Sequence, residues 1–108
     1  MQTRRSPRKM VSLMAEYITG GVNRPVFIGN VSKEGMHMVA LNKDAQAQFL
    51  PGKNLELKLR LSSGERVHLR CKVRWVSDER PPYGATYGIG LEIMDPPPKY
   101  ISFVKSLY

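Results

Sequence analysis

The chain has 108 residues, of which 42% are hydrophobic and 8% aromatic, and this length and composition are typical of one folded domain. No apolar run reaches the roughly 18 residues that a membrane-spanning helix needs, and the basic N-terminus leads into no apolar signal-peptide segment. The single cysteine excludes an internal disulfide framework and fits a reducing compartment. We therefore expect a cytoplasmic protein without membrane insertion.

The charge balance favours an anionic ligand or partner. Seventeen Lys and Arg against nine Asp and Glu give a formal net charge of +8. A field of this sign attracts phosphates, nucleic acid or an anionic membrane surface, although in many proteins it only aids solubility. Charge alone does not choose among these.

The first part of the chain predicts a basic arm followed by three strands. Residues 1–9 have no hydrophobic residue after Met1 and are expected to form a mobile arm, with a single domain over residues 10–108. Strands are predicted over residues 10–18, 26–32 and 36–41, with breaks at Gly20–Gly21, Pro25 and Gly35. Residues 42–52 have no clear pattern and are expected to be a loop or one turn of helix.

The next two strands give the clearest pattern. Every second residue is Leu over residues 55–61, and apolar residues alternate with basic ones over residues 66–76. Period-two patterns predict antiparallel strands with one buried side and one solvent-facing side, here joined by a hairpin loop at residues 62–65. The alternation places Cys71 and Trp75 on the buried side. It places these cations on the solvent-facing side: Lys58, Arg60, Arg66, Arg70, Lys72 and Arg74.

The end of the chain predicts one more strand and a helix. The strand covers residues 87–93 and stops at Asp95 and three prolines, after which Tyr100, Phe103, Val104 and Leu107 follow at helical spacing. Closing a sheet of six short strands buries one face and removes exposed edges. The predicted fold is all-β: a small six-stranded antiparallel barrel with a short C-terminal helix.

The usual residues of catalysis and metal binding are not grouped in this sequence. His37 and His68 have no neighbouring ligands at metal-binding spacing, and Cys71 on an apolar strand face is expected to be an inert thiol. The string that begins at Gly88 and Gly90 lacks the third glycine and the helix of a dinucleotide-binding motif. We predict a protein that is not an enzyme and has no cofactor and no metal.

Two short motifs remain, and together they resemble a family signature. Arg4 and Arg8 form R-x-x-x-R, and Asn30, Ser32 and Gly35 form N-x-S-x-x-G after one intervening strand. This order resembles the PilZ domain family, whose signature is R-x-x-x-R followed by [D/N]-x-S-x-x-G. The stretches CKVRWV and YGIGLEI and the terminal helix are also similar to that family, so the resemblance covers nearly the whole chain. Arg5 and Lys9 form a second pair at the same spacing, which leaves the register of the first motif open.

The resemblance implies a bacterial receptor for the second messenger cyclic di-GMP, with Arg4, Arg8, Asn30, Ser32 and Gly35 as the ligand-binding residues. A guanidinium binds a phosphate or the O6/N7 edge of guanine through two hydrogen bonds, and Asn offers both a donor and an acceptor. Asn30 and Ser32 are expected on one face of a strand end, and Gly35 is expected to provide positive φ and close backbone approach. Ligand binding is then expected to fold the arm onto the barrel and to present a new surface to a protein partner.

Two alternatives stay open. One is a small barrel, similar to an OB-fold, that binds nucleic acid with the basic hairpin face. Such surfaces usually expose aromatic residues among their cations, and the predicted inward position of Trp75 makes nucleic acid the less favoured partner. The other is a PilZ-like adaptor that has lost its ligand, which the intact motifs disfavour. The protein is expected to be a monomer or a homodimer.

Overall fold

The computed structural model describes residues 8–19, 21–40, 49–79 and 86–107. Within these ranges the elements are β1 (Lys9–Thr19), β2 (Val22–Val31), β3 (Gly35–Ala40), β4 (Asn54–Arg60), β5 (Arg66–Glu79), β6 (Thr86–Met94) and α1 (Pro98–Ser106). Neighbouring strands are antiparallel, and the order β1-β2-β3-β6-β5-β4 closes into a barrel. The predicted fold, an all-β six-stranded antiparallel barrel with a short C-terminal helix, is confirmed.

The first two strands begin earlier than the sequence predicted. β1 starts at Lys9, which the sequence analysis placed in the basic arm. β2 starts at Val22, so Pro25 lies inside the strand. The pairing of β2 with β3 begins only at Phe27, which leaves Pro25 at a strand edge where its missing N–H is tolerated.

The barrel interior is filled by alternate residues of the strands. On β4 and β5 the predicted inward positions up to the middle of β5 are buried, except Leu55, which is partly buried. The buried residues are Leu57, Leu59, Val67, Leu69, Cys71 and Val73. Tyr100 and Val104 of α1 are fully buried in the same cluster, so the helix packs against the barrel. Burial raises the pKa of the Cys71 thiol to about 12, which keeps the thiol protonated and unreactive.

A β-bulge in β5 turns Trp75 to the outside. Val73 pairs with Leu91 of β6, but the next pair is Trp75 with Gly90, so Arg74 is an additional residue in β5. One inserted residue shifts the inward–outward alternation of the strand by one position. Trp75 therefore faces outward, and 45% of its surface is exposed. The prediction that Trp75 is buried is wrong, and the argument against nucleic acid that rested on it falls with it.

No helix within the described ranges is both long and apolar enough to cross a membrane.

Candidate ligand-binding site

The two sequence motifs meet where β1 begins. Arg8 immediately precedes β1, and Lys9 pairs with Val31 near the end of β2. This register brings Arg8 to Asn30, and Nη1 of Arg8 donates a hydrogen bond of 2.8 Å to Oδ1 of Asn30. Hydrogen bonds from charged groups contribute about 1.5–3 kcal/mol. The contact therefore holds Arg8, which is partly buried, against the barrel.

The N-x-S-x-x-G motif forms a tight turn between β2 and β3. The N–H of Ser32 donates to the carbonyl of Gly35 at 2.8 Å. Oγ of Ser32 accepts a hydrogen bond from the N–H of Gly35 at 3.2 Å and donates to its carbonyl at 3.3 Å. Ser32 is only 3% exposed, whereas Asn30 is partly exposed. The hydroxyl of Ser32 therefore stabilises the turn from within, and Asn30 is the motif side chain that reaches the surface.

Close backbone approach explains the glycine of this motif. A Cβ on Gly35 would overlap the carbonyl oxygen of Leu91 on β6, so the predicted close approach is confirmed. The predicted positive φ is wrong, because the glycines with positive φ in the described ranges are Gly21, Gly52 and Gly64. Nη2 of Arg8 lies 3.9 Å from the position of that Cβ. The guanidinium of Arg8 therefore lies next to both Asn30 and the buried Gly35.

Tyr100 of α1 supports the turn from the interior. Its hydroxyl donates to the carbonyl of Ser32 at 2.6 Å and lies 3.4 Å from the carbonyl of Gly35. The N–H of Ile93 on β6 donates to the carbonyl of Glu34 at 2.7 Å. The turn is thus attached to both the last strand and the helix. Sequence analysis identified Tyr100 only as an apolar helix residue. Helical spacing carries no information about a hydrogen-bond partner such as Ser32, which lies 68 positions away in the sequence.

The remaining residue of the predicted ligand set is Arg4, which lies outside the described residues, as does Arg5. Of the two cations at the start of β1, it is Arg8 that bonds Asn30. Lys9 is paired with Val31 as part of the strand.

A row of residues extends from Asn30 across the outer surface of the barrel. Asn30 pairs with His37 of β3, His37 with Gly90 of β6, and Gly90 with Trp75 of β5. The rings of His37 and Trp75 stack with centroids 5.6 Å apart and planes inclined by 27°. A Cβ on Gly90 would overlap the indole, so this glycine provides the space in which the ring lies. The row has a hydrogen-bonding end at Asn30 and a stacking end at Trp75.

Sequence analysis missed the aromatic pair because it continued the alternation of β5 through the bulge. The sequence of the neighbouring strand β6 did contain an indication that the ring of Trp75 lies outside. Gly88 and Gly90 occupy alternate positions of β6, and neither carries a side chain into the outer surface. Two such positions leave room for a large ring from the adjacent strand.

No group of three or more His, Cys, Asp or Glu side chains in the described part of the chain is arranged to hold a metal ion.

The comparisons with known proteins identify the class of protein. The model of the PilZ domain family matches residues 2–107, and the chain therefore belongs to the PilZ domain family. Comparison with curated protein sequences gives no match.

Several solved structures have the same fold. The PilZ domain of YcgR from Escherichia coli, solved with c-di-GMP, has a TM-score of 0.78 at 12% identity, covering 98% of this chain and 92% of that one. The Bacillus subtilis inhibitor of motility MotI/DgrA has a TM-score of 0.80 at 17% identity, covering 99% and 50%. The K. pneumonia MrkH–c-di-GMP complex has a TM-score of 0.80 at 15% identity, covering 98% and 51%. The chain thus spans about half the length of MotI/DgrA and of MrkH.

Proposed function

We propose that this protein is a receptor for cyclic di-GMP, which binds at Arg8 and Asn30, beside the turn that Gly35 closes. The observation that carries the proposal is the 2.8 Å hydrogen bond from Arg8 to Asn30. It joins two motifs that are distant in sequence, in a family with members, YcgR and MrkH, whose structures contain c-di-GMP.

The chemistry of the surface suits this ligand. The guanidinium of Arg8 binds a phosphate or the O6/N7 edge of guanine through two parallel hydrogen bonds, and Arg4 supplies a second guanidinium in the same way. The amide of Asn30 both donates to and accepts from a base edge. The stacked rings of His37 and Trp75 offer a flat surface to a guanine that extends along the row. Ser32 acts through the turn that positions Asn30.

In this proposal the basic arm relays ligand binding to a protein partner. Residues 1–7 fold over the bound ligand with Arg8 as their fixed end, and the newly ordered surface binds a protein partner. Ordering the segment costs free energy that ligand contacts offset, which is the general pattern of coupled folding and binding. Of the two registers of the first motif, the bond from Arg8 to Asn30 favours Arg4 with Arg8 over Arg5 with Lys9.

Titration with cyclic di-GMP tests the proposal. Trp75 is the only tryptophan of the chain, so its fluorescence reports ligand at the stacking end of the row, and calorimetry measures the affinity. We expect an affinity on the order of micromolar, about −8 kcal/mol, with weaker binding of cyclic di-AMP, GMP and GTP. Equal affinity for cyclic di-AMP would contradict recognition of the guanine edge.

Paired variants separate the site from the general charge of the protein. Arg8→Ala removes a guanidinium from the site and is expected to weaken binding by at least tenfold, about 1.4 kcal/mol. Arg70→Ala removes the same charge from an exposed arginine paired with Asp95 at 3.4 Å, and is expected to leave the affinity unchanged. Arg5→Ala is expected to have little effect. A chain that binds no cyclic di-GMP at high micromolar concentration is instead the adaptor that has lost its ligand.

Nucleic-acid binding is the second candidate, because Trp75 is exposed and lies on β5, a strand of the basic hairpin. Arg70 and Arg74 form ion pairs with Asp95 and Glu92, which lowers the charge available to phosphates. We expect weak binding that falls steeply with salt. A complex with an oligonucleotide that is stable at physiological salt would favour this candidate over the first.

A further inference from the structure

An apolar stripe crosses the outer surface of β1, β2 and β3. Met14 pairs with Phe27, and Phe27 pairs with Val39, so three apolar side chains lie in register on neighbouring strands. The exposed fraction is 54% for Met14 and 38% for Phe27. With Pro25 and Val26 these residues line an open groove whose walls are almost entirely apolar. The outer side of a barrel strand ordinarily carries polar residues, and a continuous apolar patch there is typical of an interaction surface.

A basic groove adjoins the apolar one. Met14 and Pro25 also line this second groove, together with Ala15, Glu16, Lys58, Arg60 and Arg66. The two grooves therefore form one continuous surface, apolar at one end and with an excess of positive charge at the other.

Two cations of the basic groove lie directly opposite each other on neighbouring strands. Arg60 lies directly opposite Arg66 across β4 and β5, and both are exposed. Like charges directly opposite destabilise a strand pair. An anionic group bound between the two guanidinium groups would remove this repulsion.

Five of the six outward cations of the β4–β5 hairpin divide into two groups, and the sixth, Lys72, lies directly opposite Glu92 of β6. Toward the far end of β5, Arg70 lies 3.4 Å from Asp95 and Arg74 lies 3.3 Å from Glu92. In the described ranges, none of Lys58, Arg60 and Arg66 has a carboxylate within ion-pair distance. Glu16 lies directly opposite Lys58, so within the described ranges the uncompensated positive charge beside the apolar stripe is that of Arg60 and Arg66.

We propose that this docking surface binds an acidic segment of a protein partner. It is formed by Met14, Pro25, Phe27, Val39, Lys58, Arg60 and Arg66. Apolar side chains of the segment occupy the apolar groove, and its carboxylates bind between Arg60 and Arg66 through two parallel hydrogen bonds each. Methionine adapts its shape to different apolar surfaces, which suits Met14 to the junction of the two grooves. The proposal goes beyond nucleotide binding and does not depend on it.

A protein segment fits this surface better than the other anionic partners. A nucleic acid would satisfy the cations but would leave the apolar groove uncovered. A flat bilayer would meet the rim of the surface but would not fill a recessed groove. A protein segment with both apolar and acidic side chains covers the apolar groove and also neutralises the cations of the basic groove.

Selection from a display library of short random peptides tests the proposal on the full chain without nucleotide. The enriched peptides are expected to combine Asp and Glu with at least two large apolar residues. Their affinity is expected to fall at least about tenfold in the double variant Arg60→Gln/Arg66→Gln. The thermal midpoint of this variant should stay the same or rise, because the variant removes a repulsion. The control is Arg70→Gln/Lys72→Gln, which makes the same change of charge on the same hairpin and should retain affinity.

The variants Met14→Ser and Phe27→Ser test the apolar groove of the docking surface, and each is expected to weaken peptide binding. Met14 is more than half exposed, so Met14→Ser should keep the fold, as judged by its thermal midpoint, and still weaken binding. Enriched peptides without acidic residues, or an equal loss of affinity in the control double variant, would overturn the proposal. So would binding of single-stranded DNA or of phosphatidylglycerol vesicles that requires the same residues and exceeds that of the peptides.

Discussion

The hydroxyl of Tyr100 gives the most direct test of how the turn from Asn30 to Gly35 is held. Substitution by phenylalanine removes one oxygen and keeps the buried ring, so the packing of α1 on the barrel is retained. The lost interactions include the 2.6 Å hydrogen bond to the carbonyl of Ser32 and the longer 3.4 Å contact with the carbonyl of Gly35. The carbonyl of Ser32 lies at a residue only 3% exposed, and water does not readily replace the donor.

The expected magnitude follows from this burial. Leaving a buried acceptor without a donor costs about 1–3 kcal/mol. With a urea dependence of about 1–3 kcal/mol per molar for a small domain, a loss of about 2 kcal/mol lowers the midpoint by roughly 1 M. The hydrogen bonds between Ser32 and Gly35 remain, so the turn should keep its shape. The affinity for cyclic di-GMP should therefore fall less than in Arg8→Ala.

Urea unfolding of Tyr100→Phe and Tyr87→Phe, followed by circular dichroism, makes the comparison. Tyr87 is also largely buried, but within the described ranges its hydroxyl has no hydrogen-bond partner, so Tyr87→Phe should keep the wild-type midpoint. Equal midpoints for the two variants would refute the role assigned to Tyr100. A changed slope for Tyr100→Phe would mean that the unfolded or native state itself had changed.

Three further predictions concern the two close-packed glycines and the buried thiol. The three atoms nearest to a Cβ on Gly90 all belong to the indole of Trp75, a side chain that can move. In Gly90→Ala, tryptophan emission should therefore change while stability falls by no more than about 1 kcal/mol. Gly35→Ala meets the backbone of Leu91 and should cost about 1–3 kcal/mol; equal costs in urea unfolding would contradict this distinction. Burial raises the pKa of Cys71 from 9.0 to about 12, so above about pH 9 the unfolded state loses this proton first. Stability should then fall by about 1.4 kcal/mol per pH unit up to the folded pKa, and the difference between the wild-type chain and Cys71→Val, measured at several alkaline pH values, should isolate that fall.

The fold could be predicted because most of the barrel follows a period-two pattern. Leu57 and Leu59 on β4 and Val67 and Leu69 on β5 alternate with charged residues and His68, and each of the four is buried. The pattern failed at Trp75, because the bulge at Arg74 adds one residue to β5 and none to β6. Alternation in a single strand carries no information about the number of residues opposite it.

The site could be predicted in part for a similar reason. The motifs identify Arg8 and Asn30, and an antiparallel β1–β2 hairpin brings them together. The aromatic pair of His37 and Trp75 depends on the register across three strands. The contact of Tyr100 with the turn depends on how the helix packs. Neither is a local property of the sequence.

Barrel closure has a consequence for the way in which the chain folds. Two of the pairings that complete the ring join distant parts of the sequence: Ala15 with Leu59, and Met38 with Ile89. Such contacts require the loss of loop-closure entropy before they contribute stability, so barrels rich in them fold on a scale of milliseconds to seconds. An incomplete chain that ends before β6 would lack the neighbour of β3 and the support of the Asn30–Gly35 turn. The surface proposed to bind cyclic di-GMP should therefore form late in folding and in a single step, together with the complete barrel.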